Sequence, residues 1–333
     1  MTMHKDNIIS ESLFIPSNTQ GIELHLIHKF RRDRVSVDES NTIIMMHGAT
    51  YSSESLFDTP AEGASFIDVL ASKGFNVYAV NVRGYGASTR PPEMSQPAEN
   101  NVPAVRTDVA VRDFSCAVNY VLGFHKLNQV NIIGMSWGGT VAATFTSRNN
   151  HHVRRLGLIA PQWLSSQPVP LDEGGTLHAW RIVNAGEGKA RWLSGAPQHK
   201  QQDLIPAGVF EAWVDKAVST EPDENLRMQN SFRASNGPVQ DIRDYWTKGK
   251  PYYDPADIRV PLLLIHGEWD RDVPVAVTQD LFLHMTGSPD KRWLEIGEAT
   301  HMVVLEKNRH KVFDALANFF SEPNIKNSRH VAQ

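Results

Sequence analysis

The run Val130 to Thr140 reads VNIIGMSWGGT. It frames one serine as Gly134-Met135-Ser136-Trp137-Gly138, with an apolar strand pattern before it and a helical pattern after it. Between a strand and a helix, Gly-x-Ser-x-Gly is the sequence form of a sharp turn that lifts a serine oxygen above a sheet. The backbone of such a turn is strained. Neighbouring chain comes close to it, so Gly134, Gly138 and Gly139 carry no side chain. The turn also sets the N–H of Trp137 at a helix N-terminus, where unpaired donors favour negative charge. A serine hydroxyl is a weak nucleophile until a base takes its proton and a third group orients that base. Acyl transfer at Ser136 therefore requires two further side chains from elsewhere in the chain.

The elements that must position these groups are legible as alternating patterns. Gly21 to Lys29 alternates apolar and polar residues, which predicts a half-exposed antiparallel edge strand. Thr42–Met46, Phe75–Val82, Val130–Gly134, Leu156–Ala160, Pro261–Ile265 and Trp293–Ile296 are short apolar runs, the mark of strands buried on both faces. Between them, Val111, Phe114, Val118, Val121 and Leu122 fall at helical spacing; Val141 to Arg148 follows the serine turn, and Val312, Phe313, Leu316 and Phe319 form a closing helix. Buried strands alternating with amphipathic helices predict an α/β chain: a mostly parallel sheet with helices on both faces.

Residues 161–255 break this rhythm. They hold Trp163, Trp180, Trp192, Trp213 and Trp246, and their ten Lys and Arg nearly balance twelve Asp and Glu. They read as a helical cap inserted on the C-terminal rim of the sheet, between core segments 1–160 and 256–333. Thr89 to Pro103, with four prolines, reads as a long loop near the same rim.

From Gly21 to Phe320 the chain resembles the α/β-hydrolase superfamily, the insertion being the least matched part. In that family the acid follows the serine and the histidine comes last. The resemblance implies that Asp270, just past the strand in PLLLIHGEWDRDVP, is the acid and that His301, in GEATHMVVLE, is the base. Asp272 is the local competitor and reads instead as a solvated loop charge. His47-Gly48-Ala49-Thr50 resembles the family's HG-x loop, which makes the Ala49 N–H the partner of the Trp137 N–H in an oxyanion hole, with His47 structural. The fuller HGGG and HGGPG forms are absent. RGYGAS, Arg83 to Ser88, resembles a further family turn, with Asn81 where Asp is frequent.

These expectations describe a serine hydrolase that cleaves a carboxylic ester or lactone of a medium-sized, largely uncharged molecule through an acyl-enzyme. The tryptophans of the cap would line the pocket. Amide, thioester or C–C bond hydrolysis and acyl transfer are the alternatives on the same triad, and a non-catalytic small-molecule receptor is the alternative outside catalysis. A serine at the turn disfavours the dehalogenase and epoxide hydrolase branches, which carry Asp there. No cofactor or metal is expected, and His151-His152 reads as surface. The single Cys116 rules out an intrachain disulfide and reads as a small buried hydrophobe. A net charge of −4 gives no nucleic-acid footprint. With no signal-peptide pattern and no apolar window near membrane length, the expected setting is cytoplasmic, with a small-molecule substrate and no membrane.

Overall fold

Burial on both faces is what the apolar runs produce. In β3 (Thr42–Met46), Ile44 and Met46 enter one core while Ile43 and Met45 enter another on the opposite face of the sheet. The protein is described by a computed structural model covering residues 7–34 and 36–323. Its other strands are β1 (Ile8–Pro16), β2 (Glu23–Arg31), β4 (Asn76–Val80), β5 (Val130–Met135), β6 (Val153–Ile159), β7 (Trp180–Asn184), β8 (Ser231–Ser235), β9 (Leu262–Gly267) and β10 (Lys291–Ile296), numbered with β3 in chain order.

Eight of them form one sheet in the order β1-β2-β4-β3-β5-β6-β9-β10. β1/β2 and β2/β4 are antiparallel and every other pair is parallel. The helices Thr107–His125 and Trp137–Arg148 bury Phe114, Val118, Val141 and Phe145 on one face. Phe66–Ser72 and Arg309–Ser321 bury Phe66, Ile67, Leu316 and Phe320 on the other. From β3 the chain moves to β4 on one side and then returns to β5 on the other, so a crevice opens beyond the carboxyl ends of β3 and β5, where open α/β sheets bind ligands.

Two expectations about the leading edge are corrected. β1 is the edge strand, and the alternating segment β2 lies inside it, with six of its nine residues buried. Its polar positions are sheltered because each finds a partner: His25 meets Ser12 Oγ at 2.7 Å, His28 meets Asn76 Oδ1 at 2.8 Å, and Lys29 Nζ donates to Asp58 and Asp68 at 2.5 and 2.7 Å. Alternation signals one wet face only when nothing covers it, and here helices pack on both sides. Cys116 is half-buried rather than buried, and its sulfur accepts from the Asn18 N–H at 3.3 Å.

The insertion between β6 and β9 is not all-helical. β7 and β8 pair antiparallel as a two-stranded ribbon, accompanied by helices such as Val209–Val218 and Gly237–Asp244. Each strand is only five residues long and lacks a continuous apolar run, so neither could be read without its partner. The proline-rich loop is no free linker. Trp180 Nε1 donates to Gln96 O at 3.1 Å, and the Ala179 and Ala104 amides bond Ala98 O and Ala179 O, which ties loop and ribbon together. His151-His152 lies in a surface turn over Asn150–His152. Among the described residues, no helix is long and apolar enough to cross a membrane.

Candidate active site

Ser136 stands between β5 and the helix Trp137–Arg148 with φ 56° and ψ −124°, a left-handed conformation that costs a non-glycine residue of order 1–3 kcal/mol. The surroundings over-determine it. A Cβ on Gly134 would lie 2.5 Å from Gly138 O. One on Gly138 would lie 2.2 Å from His47 O, and one on Gly139 would lie 2.8 Å from the Pro161 ring. The Ser136 amide donates to Ile159 O at 2.9 Å, and its carbonyl accepts from Gly139 and Gln162 N–H at 2.9 and 3.1 Å. The turn is thus bolted to β6 and to the loop after β3.

That loop brings Ala49 to the same place. His47 is fully buried. Its Nδ1 donates to Gly48 O at 2.8 Å and its Nε2 accepts from the Val82 N–H at 3.4 Å. Burial pushes this imidazole down to about 4, so it is a neutral brace for the loop. Among the described residues the N–H groups of Ala49 and Trp137 have no hydrogen-bond partner. The Trp137 indole is wholly buried and donates to Thr107 Oγ1 at 2.8 Å, away from the cavity.

Past β9, Asp270 is nearly buried. Its Oδ2 accepts from His301 Nδ1 at 2.8 Å and its Oδ1 from the Val273 N–H at 2.8 Å. Burial opposes charge on His301, but the Asp270 carboxylate and its hydrogen bond outweigh it. With a further contribution from Asp272, they raise the imidazole to about 9. Asp272 is a part-exposed loop charge whose Oδ1 accepts from Arg191 Nη2 at 2.9 Å, tying the loop to the insertion. Ser136 and His301 line one cavity of about 350 Å³, together with Gly48, Ala49, Gln162 and Asp272. No hydrogen bond joins Ser136 Oγ to His301 among the described residues.

Of the five tryptophans expected on the wall, Trp192 and Trp213 are there. Trp163, Trp180 and Trp246 are not. Trp163 donates to Asp280 Oδ2 at 2.9 Å and packs on Tyr253, Trp180 is held by Gln96, and Trp246 is buried in the core. Their indoles cement the insertion to the sheet and loop, a use that composition cannot distinguish from pocket lining.

The sequence profile of the α/β-hydrolase fold matches residues 41–308. The chain belongs to the α/β-hydrolase fold family. Three solved structures of the family illustrate the likeness. A serine hydrolase involved in carbazole degradation (the CarC enzyme) is 17% identical with TM-score 0.60, the match covering 94% of this chain and 99% of that one. The 2-hydroxy-6-oxo-6-phenylhexa-2,4-dienoate hydrolase of Rhodococcus sp. strain RHA1 is 17% identical with TM-score 0.59, covering 95% and 100%. Naproxen esterase from Bacillus subtilis is 17% identical with TM-score 0.56, covering 94% and 92%. No curated protein sequence matches significantly.

Within this α/β hydrolase, two residues escaped the sequence reading. Glu306 is wholly buried. Its carboxylate accepts from the Thr300 N–H at 2.8 Å, from the Thr300 hydroxyl, and from Trp192 Nε1 at 2.8 Å. Burial pushes it up to about 7. It joins the residue before His301 to a tryptophan of the cavity wall. The only sequence signal was an acid in an otherwise apolar run, MVVLE. Arg181, on β7, also lines the cavity. Charges that cancel in the sum over 161–255 do not cancel in position.

Proposed function

We propose that this α/β hydrolase is a serine-dependent hydrolase of carboxylic esters or lactones, with Ser136 as nucleophile, His301 as base, Asp270 as acid, and the Ala49 and Trp137 N–H groups as oxyanion donors. One observation carries the reading: a strained serine and a carboxylate-bound histidine open onto one cavity. The serine proton passes to His301 Nε2 as Ser136 Oγ bonds the acyl carbon. The oxyanion that forms meets two unpartnered N–H donors at a loop and a helix N-terminus. Collapse expels the alcohol, which takes the proton from His301. Water, deprotonated by the same imidazole, then releases the acid and regenerates Ser136. Residues 161–255 form the cap in this proposal, roofing the cavity from the insertion side, with 1–160 and 256–333 as the catalytic core.

The test is labelling with a fluorophosphonate probe alongside turnover of a graded ester and lactone panel. Ser136 should be the labelled residue, and Ser136→Ala should lose both labelling and nearly all turnover, by orders of magnitude. Full turnover in pure Ser136→Ala protein rejects the proposal.

A further inference from the structure

The cavity wall carries a cation that the proposed mechanism does not use. Arg181 Nη1 donates to Ser235 O at 2.8 Å and to Asn236 Oδ1 at 3.0 Å, and Nη2 donates to Thr50 Oγ1 at 3.0 Å. All three acceptors are neutral. A guanidinium has five N–H donors, so two are uncommitted among the described residues. Three of the other four arginines of the insertion do have carboxylates: Arg191 has Asp272, Arg233 has Glu221 and Arg243 has Asp172, while Arg227 donates to the Glu221 backbone carbonyl. Arg181 has none at ion-pair distance among the described residues. The acids that share its cavity are committed or peripheral. Asp272 is held by Arg191, while Glu173 and Glu187 are exposed. Burial lowers the Arg181 pKa from its ordinary value, as befits a cation short of counter-charge. The indole N–H of Trp213, on the same wall, is likewise buried without a partner.

An unpaired guanidinium held by neutral groups, with donors to spare in a cavity, is arranged for a planar anion. We infer that Arg181 is a specificity residue that binds a carboxylate of the substrate, so that the molecule hydrolysed at Ser136 is an ester or lactone bearing one carboxylate. The bond to Thr50 fixes its reach, because Thr50 follows Ala49. The anion then sits a few bonds from the carbonyl under attack. This refines the expectation of an uncharged substrate and rests on the serine hydrolase reading above.

Two arms test it. In the first, p-nitrophenyl hemiesters of succinate, glutarate and adipate are compared with the same compounds capped as methyl esters, and the butyryl ester of 4-hydroxybenzoate with its methyl ester, to cover a carboxylate on either side of the scissile bond. The free carboxylate should raise kcat/KM by roughly 10–100-fold in at least one series. Arg181→Met should bring that ratio close to one, with Arg181→Lys between. In the second arm, glutarate monomethyl ester is titrated calorimetrically into Ser136→Ala protein. It should bind, and the binding should vanish when Arg181→Met is added. This arm needs no turnover, so it separates failure here from failure of the hydrolase reading, which fluorophosphonate labelling reports. The wild-type ratio and the titration into Ser136→Ala stand even where Arg181→Met does not fold. Equal rates on charged and capped esters in the wild type overturn the inference. So does an equal fall on both in Arg181→Met, which would make the residue a general electrostatic support of the oxyanion.

Discussion

Replacing Asp270 by Asn removes a charge while keeping the shape of the group that holds His301. In the wild type, the charge and hydrogen bond of Asp270 bring the imidazole to about 9 against the pull of burial. The gap from the ordinary value of 6.5 is worth about 3 kcal/mol at roughly 1.4 kcal/mol per pH unit. Without Asp270 the main raising influence goes while burial stays, so the inflection should fall toward or below 6.5. The base must be neutral to accept the serine proton. The rate in the wild type should therefore rise with pH through an inflection on the alkaline side of 6.5. In Asp270→Asn the inflection moves acidward, yet the plateau drops by about 10⁴ because the tautomer and orientation are lost. Stability carries the same signature. The His301 value is raised by folding, so its stabilisation is complete below pH 6.5 and is lost as pH rises through about 9. Kinetics from pH 5 to 10, with NMR titration of the imidazole and melting curves at the two ends, measure all three. Asp272→Asn is the control. It should lower the inflection less, since Asp272 acts on His301 only at a distance while Asp270 acts by both charge and hydrogen bond. An inflection moved by Asp272→Asn and untouched by Asp270→Asn would refute the assignment of the acid.

Glu306→Gln should lower kcat more than it raises KM, because one amide cannot accept from Thr300 and Trp192 as the carboxylate does. It should also abolish a loss of stability between about pH 4.5 and 7 that arises because folding raises this carboxyl to about 7; denaturant midpoints across that range check the second effect. Trp192→Leu and Trp213→Leu should change relative kcat/KM between large and small esters, since both indoles face the cavity. Trp163→Leu and Trp246→Leu should instead cost roughly 2–4 kcal/mol of stability with the preference kept, and an altered preference in those two would contradict their placement.

Chemistry confined to short segments was readable from the chain alone. The turn at Ser136 is local: glycine spacing, a strand before and a helix after suffice to define it, because its steric demands are met within a few residues. The apolar runs of β3 to β6 and β9 were readable for a similar reason, as a strand covered on both faces is filled mostly by apolar side chains. Asp270 and His301 were reached through family order, and their meeting at 2.8 Å across 31 residues belongs to the sheet, which sets β9 beside β10. What only the tertiary structure decided is relational. β2 is buried because β1 and two layers of helix surround it, although its own alternation says edge. Tryptophan composition could not tell the pocket-lining Trp192 and Trp213 from the anchoring Trp163, Trp180 and Trp246, since an indole serves either use. Arg181 is conspicuous only once the acids around the cavity have been placed, Asp272 on Arg191 and Glu173 and Glu187 at exposed positions. Pairing is a property of distances between remote segments, and a sequence lists the charges without saying which of them meet.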